Sequence, residues 1–361
     1  MKMSTFEHGL IGVITIAIVL AAFVWVKRDA VRFRKLVATT MTMTFILLIL
    51  GAFVRLSDAG LGCPDWPGCY GNLTPHLSAD EIRAAEVIQP GGPVSMAKAW
   101  KEMSHRYLAM LVGALIAAIV LAAWRNRRAW NQSPALASVV GSAVIFQAAL
   151  GAWTVTMLLK PVIVTSHLLG GITILSLLAW LHWRQAARQA EPPMWAKGII
   201  APKAIRYFAL LALVVLAAQI AIGGWVSTNY AALACADLPQ CSGQWLPVMD
   251  FANAFHIVRP LGTGPNGELL TIEALRAIHW THRVGAVIAI LVVGGFAWAL
   301  QNISSGRKAA KMLLVLLAGQ VLLGLSNVWF SLPLIVSVAH NGVAALLFTL
   351  LSLINLRLRQ H

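Results

Sequence analysis

Four histidines stand along this chain in two matched pairs. His105 lies in Glu102-Met-Ser-His-Arg106 and His282 in His279-Trp-Thr-His-Arg283, each opening a long apolar run, to about Trp124 and Leu300. His167 follows in Thr165-Ser-His-Leu-Leu-Gly-Gly171, and His340 in Val338-Ala-His-Asn-Gly342. An ionisable side chain at the lip of an apolar run is costly, so it marks a functional position by default. Imidazole is a common metal ligand, and a planar haem takes one axial histidine on each face. Zinc or copper would need more ligands than two histidines per set provide. Core histidines satisfied by hydrogen bonds are the plainer account of any single one, but the pattern occurs twice at matched distances. His105/His167 and His282/His340 therefore read as two axial-ligand pairs. Gly170, Gly171 and Gly342 beside them would let a large ring approach the backbone.

The elements that must position these side chains are membrane helices. Of 361 residues 59% are hydrophobic and only 11% charged, against about a quarter charged in soluble domains. Apolar stretches long enough to cross a bilayer recur at 9–26, 36–55, 104–124, 135–157, 163–183, 205–226, 280–300, 310–330 and 334–356. The net charge of +15 does not point to nucleic acid, because the basic residues alternate with the apolar spans instead of forming a patch. They follow the first, third, fifth, seventh and ninth spans, which makes those segments cytoplasmic and puts 56–103 and 227–279 outside. A bacterial cytoplasmic (inner) membrane protein with its N-terminus outside and C-terminus inside follows. The first span carries its strongest charge after the apolar run and shows no small-residue cleavage site, so it reads as an uncleaved anchor, and no Arg- and Ser-rich presequence precedes it.

The remaining eight spans form an internal repeat. Phe45–Cys69 corresponds to Val214–Cys241, His105-Arg106 to His282-Arg283, Gln147 to Gln320 and His167 to His340. The fold class is accordingly an all-α polytopic membrane protein: two tandem four-helix bundles plus one extra N-terminal helix. Residues 1–30 form the anchor, 31–185 the first bundle with its cysteine loop, 186–203 a proline-bearing linker and 204–361 the second bundle with its loop. In an up-and-down bundle the second and fourth helices lie diagonally across a central cavity, where cofactor sites are built. Ser78-Ala-Asp-Glu81 has the form of a capping box opening a short helix, and Gly262–Gly267 marks a turn.

Cys63/Cys69 and Cys235/Cys241 are close pairs without zinc-finger partners, and a disulfide in an oxidising compartment is the first reading of each. A structural staple is the simpler role and a redox-active or substrate-guiding bond the sharper one. Arg106 and Arg283 are candidates for the carboxylates of a haem, with snorkelling to the interface as the alternative. Glu102 precedes His105 by three residues and shares its helix face, whereas the second half has His279 there. This asymmetry suggests different jobs for the halves, with Glu102 carrying protons or stabilising positive charge; an acid at a helix start, favoured by the dipole, is the alternative.

Taken together, Gly51-Ala-Phe-Val-Arg-Leu-Ser-Asp-Ala-Gly-Leu-Gly-Cys-Pro-Asp-Trp-Pro-Gly-Cys69, Glu102-Met-Ser-His-Arg106, Thr281-His-Arg283 and the two later histidines resemble haem A synthase, the membrane enzyme of cytochrome oxidase assembly. The likeness covers roughly 36–356; the extra N-terminal span departs from the family's usual eight helices. It implies oxidation of the carbon-8 methyl of haem O to a formyl group by successive hydroxylations, through an alcohol and a geminal diol that loses water, giving haem A. It implies that His105 and His167 hold the substrate haem, that Glu102 is catalytic, and that His282 and His340 hold a permanent haem b that passes electrons. Cys63/Cys69 match the family's pair associated with handling of the substrate haem. Implied partners are haem O synthase, cytochrome oxidase assembly and an external electron donor, in membrane lipid and without nucleic acid; a homo-oligomer is compatible. The alternatives are a two-haem b-type cytochrome relaying electrons, and a haem-transfer chaperone.

Overall fold

The computed structural model describes residues 5–188, 193, 197–264 and 267–359. Among these, nine helices are long and apolar enough to span a bilayer. They are α1 (Thr5–Val26), α2 (Ala30–Leu56), α4 (Met96–Arg125), α5 (Ala135–Thr156), α6 (Pro161–Ala187), α7 (Lys203–Thr228), α9 (Ile272–Gln301), α10 (Arg307–Trp329) and α11 (Leu334–Arg357). Two short helices, α3 (Ala79–Ile88) and α8 (Phe251–Ala254), lie in the cysteine loops. The only strands among the described residues are β1 (Ile199–Ile200) and β2 (Leu358–Arg359), paired in parallel. The architecture is the all-α polytopic one expected from the apolar runs.

Two boundaries differ from the hydropathy, and the differences matter. The runs at 104 and 280 begin about two turns inside α4 and α9, which start at Met96 and Ile272. Ser95 and Thr271 cap these starts, their hydroxyls accepting from the backbone N–H of Lys98 and Ala274, each at 3.3 Å. A polar but helix-forming segment has thus extended each helix beyond its apolar stretch. Glu102 is therefore well inside α4, past the first turn where a helix dipole favours an acid. The capping box at Ser78 also forms differently. The helix is there, but the Ser78 hydroxyl donates to Cys69 O at 2.7 Å and accepts from Asn72 at 2.8 Å instead of capping α3. Of the linker expected at 186–203, residues 189–192 and 194–196 lie outside the described residues, as do Pro265 and Asn266 of the glycine turn.

The chain divides into two compact units: Met1–Leu159 with Thr173–Glu191, and Lys160–Ile172 with Pro192–His361. In the first, α4 packs on α1, α2 and α5. Its core gathers Phe33, Leu36 and Val37 of α2, Val112, Ile116 and Ile119 of α4, Leu136 and Val140 of α5, and Leu178 and Leu181 of α6. The α1 residues Leu10, Val13, Ile16, Leu20 and Val24 are exposed, as befits a helix facing lipid.

In the second unit, α7 packs on α9, α9 on α10, α10 on α11 and α11 on α7. This closes a four-membered ring in which α9 and α11 are diagonal, as are α7 and α10. Thr165 and Leu168 of α6 close against α7 at Gly224, where an added Cβ would stand 3.1 Å and 3.2 Å from them.

Candidate functional site

The ring order sets His282 (α9) and His340 (α11) on diagonal helices of the second unit, as the up-and-down reading requires. Each imidazole is gripped by an amide from an adjacent helix of the other diagonal. Gln219 Nε2 of α7 lies 3.1 Å from His282 Nδ1 and donates to the His282 carbonyl at 3.0 Å. Gln320 Nε2 of α10 lies 3.2 Å from His340 Nε2. The Cε1 corner of each ring rests on glycine: a Cβ at Gly223 would stand 3.0 Å from His282 Cε1, and one at Gly324 3.2 Å from His340 Cε1. The glycines that meet these imidazoles lie on neighbouring helices.

These features fit a bis-histidine haem. His340 Nδ1 and the Oε1 atoms of Gln219 and Gln320 are buried without a hydrogen-bond partner among the described residues, a costly arrangement unless something is meant to bind. An amide suits an axial histidine because, turned over, it offers an acceptor where it offered a donor, and so serves either tautomer of the ring.

In the first unit, His105 faces α2 in the same manner: a Cβ at Gly51 would stand 3.0 Å from His105 Nε2. His167 belongs to Lys160–Ile172, the stretch of α6 that groups with the second unit.

Glu102 is buried, 4% exposed, and its carboxylate holds the cysteine loop. Oε2 accepts from the backbone N–H of Cys63 at 2.9 Å, and Oε1 forms an ion pair with Arg106. The Arg106 Nη1 donates to the carbonyls of Asp65 at 2.8 Å, Pro67 at 3.3 Å and Gly68 at 2.5 Å. The second half repeats the clamp with different chemistry. His279, also 4% exposed, accepts from the Cys235 N–H at 3.3 Å through Nδ1, and Arg283 Nε lies 3.3 Å from its Nε2. Arg283 donates to Cys235 O at 2.6 Å and Gln240 O at 2.8 Å. Both loops are closed by disulfides, Cys63–Cys69 and Cys235–Cys241. The two arginines, read from sequence as partners for haem carboxylates, thus hydrogen-bond to loop carbonyls and to Glu102 or His279.

Several residues that build this site carry no role in the sequence reading, Gln320 entering it only as the repeat counterpart of Gln147. Gln219 and Gln320 each precede the facing glycine by one turn, a Gln-x-x-x-Gly spacing that was available to be read. Asp65 and Asp237 pin their loops by accepting from two backbone N–H groups each: Tyr70 and Gly71 at 2.7 Å, and Ser242 at 2.6 Å and Gly243 at 2.8 Å. The shared signal is Cys-x-Asp-x-Pro-x-Cys-x-Gly, whose last residue is glycine because φ is +78° at Gly71 and +74° at Gly243. The Gly243 and Ser242 N–H groups hold the Asp237 carboxyl below the usual range. Arg259 is 1% exposed in the second loop, donating to Asn229 Oδ1 at 2.6 Å and Thr263 O at 3.0 Å over the Trp225 ring. No motif announces it.

A helical membrane protein with repeated histidine-bearing halves, each under a disulfide loop, is the class that fold and site define. Residues 34–352 match the model of the cytochrome oxidase assembly protein family, and the chain belongs to that family. It is similar to the heme A synthase of Shewanella oneidensis, 42% identical over 323 residues that cover 89% of this chain and 94% of that protein. The heme A synthases of Halalkalibacterium halodurans (28% identical, 85% of this chain and 90% of that protein) and Rhizorhabdus wittichii (24%, 86% and 89%) are similar over the same extent.

Proposed function

We infer that this protein is a haem A synthase, an oxidoreductase converting haem O to haem A. The observation that carries the reading is the ring of the second unit, where diagonal His282 and His340 are each held by an amide and faced by a glycine. The relatives that bear this name over nearly their whole length support it.

On this reading residues 204–361 keep a resident haem b through His282 and His340, and residues 31–185 take haem O through His105 and His167. Residues 1–30 anchor the chain and 186–203 link the halves. When bound, the haems supply the redox chemistry: electron entry at haem b and oxidation of the carbon-8 methyl of haem O. The chain contributes orientation and charge. The amides of Gln219 and Gln320 fix the ring planes of their histidines. Glu102 supplies a carboxylate on the helix that bears His105, and it is the acid–base group of the substrate half. Arg106 and Arg283 clamp the loops and are the candidates for haem carboxylates, Arg283 with the fuller positive potential because Glu102 offsets that of Arg106. The Cys63–Cys69 loop, tied directly to Glu102, guides the substrate haem.

The basic residues after alternate spans support an inner-membrane orientation with the cysteine loops and N-terminus outside and the C-terminus cytoplasmic. An external donor, haem O synthase upstream, cytochrome oxidase assembly downstream and self-association complete the proposed setting.

The test is a haem extract from protein purified out of cells co-expressing haem O synthase, separated by chromatography with mass detection. Haem b together with haem O, its hydroxylated derivatives or haem A is the expected result. Haem b alone, with haem O available, would establish an electron-relay cytochrome instead.

A further inference from the structure

At one end of the first unit, residues 27–35, 125–133 and 184–188 bring ten lysines and arginines and a single acid, Asp29. Asp29 is already engaged: Oδ1 caps α2 through the Val31 and Arg32 N–H groups, and Oδ2 pairs with the Arg32 guanidinium. Topology alone asks only that basic residues stand in each loop. Here the three segments are fastened to one another. Asn126 Nδ2 donates to Lys27 O at 2.8 Å and Trp130 Nε1 to Arg28 O at 3.0 Å. The Trp130 ring packs on Phe33, with centroids 4.9 Å apart. From α6, Arg184 Nη2 donates to Ser133 O at 2.7 Å and Arg188 Nη1 to Asn131 O at 3.1 Å.

Between these contacts lies a pocket with two kinds of wall. Phe33, Trp130 and Leu181 make the apolar side, and Gln132, Ser133 and Arg184 the polar one. With its amide oxygen turned toward the guanidinium, Gln132 accepts from Arg184 Nε at 3.0 Å and from Nη2 at 2.7 Å. The Nη1 edge then has no hydrogen-bond partner among the described residues. Arg188 follows one turn later, where a like charge repels. No acid among the described residues pairs with either arginine. A phosphate would relieve both charges and fit the guanidinium fork, and an apolar tail would cover the rings. Basic pockets between membrane helices at a bilayer surface suit anionic lipid headgroups for this reason. We propose that the pocket binds an anionic phospholipid, its phosphate on Arg184 and the start of an acyl chain along Trp130 and Leu181. On the orientation proposed above this lipid belongs to the cytoplasmic leaflet, where it joins α2, the turn before α5 and the end of α6. The assignment does not depend on which half takes which haem.

The experiment titrates the full-length protein, purified in detergent and stripped of lipid, with phosphatidylglycerol, phosphatidylcholine of the same chains, and inorganic phosphate. Bound lipid is counted by native mass spectrometry, and elution as a single species in gel filtration records that each form is folded. One phosphatidylglycerol is expected to bind about tenfold more tightly than phosphatidylcholine, and millimolar phosphate to leave it in place. Arg184→Gln is expected to weaken that first lipid about tenfold, near the lower end for losing a hydrogen bond between charged groups. Arg184→Lys keeps the charge but not the fork, and a loss of about threefold is expected. Lys308→Gln removes the same charge from the second unit and should change the affinity by no more than about twofold. Where Arg184→Gln does not fold, Arg184→Lys and the lipid preference of the unaltered protein carry the decision. Equal affinity for the two lipids, or unchanged affinity in the Arg184 variants, would overturn the site. Displacement of the lipid by inorganic phosphate would show a site for soluble anions and overturn the lipid as its occupant.

Discussion

Glu102 and His279 occupy equivalent positions of the two halves and make the same hydrogen bond, each accepting from the backbone N–H of the first cysteine of its loop, at 2.9 Å and 3.3 Å. Each also meets the arginine one turn on, Arg106 or Arg283. The mechanical job is thus common to a carboxylate and an imidazole. What differs is charge: Glu102 neutralises Arg106, whereas Arg283 has no ion-pair partner among the described residues.

That equivalence separates the two roles of Glu102 by mutation. Glu102→His copies the second half, so the Cys63–Cys69 loop is expected to resist reduction as the unaltered loop does and haem content to persist. Haem A formation should nevertheless fall by about 10²-fold or more, the usual scale for losing an acid–base group. Glu102→Ala should lose both loop protection and activity. Full haem A formation in Glu102→His would remove the carboxylate from the chemistry.

His282→Met and His340→Met address the resident site. Each is expected to deplete haem b first, read as the haem b to protein ratio of the purified variant. Retention of haem b with loss only of haem O would reverse the halves.

The Asp237 loop gives a pH dependence with a definite sign. Its carboxyl is held below the usual range by the Gly243 and Ser242 N–H groups, so its contribution to the loop is present at neutral pH and is lost as pH falls through that depressed value. Reduction of Cys235–Cys241 by a phosphine, normalised to a model disulfide, should accelerate below about pH 4. Asp237→Asn should be faster at neutral pH and nearly flat with pH.

Arg259 pins the second loop without an acid among the ion pairs of the described residues. Arg259→Ala leaves Asn229 and the Thr263 carbonyl without their donor and opens a cavity beside Trp225. A cost of about 2–4 kcal/mol is expected, seen as limited proteolysis within 229–271 under conditions where the unaltered protein is intact.

The membrane helices were legible because about 20 apolar residues have few other uses, and the four matched histidines stood out because a repeat doubles a weak signal. Where α4 and α9 begin was not legible from hydropathy, since Ser95 and Thr271 start helices in polar sequence. Reading Arg106 from its type pointed to the carboxylates of a haem; the fold brings Glu102 and three loop carbonyls to it. Gln219 and Gln320 look ordinary one at a time, and gain meaning when the ring order shows which histidine each faces. Ser78 had the right neighbours for a cap, yet a nearer acceptor in Cys69 drew its hydroxyl away.

In the second unit His282 and His340 and the amide beside each lie on consecutive membrane helices, α7 with α9 and α10 with α11. A nascent chain delivers such a pair together. Once α9 is inserted, His282 already has Gln219 beside it, before α10 and α11 have left the ribosome. The second hairpin arrives with His340 equally prepared. Assembly of this half is then the joining of two finished pieces.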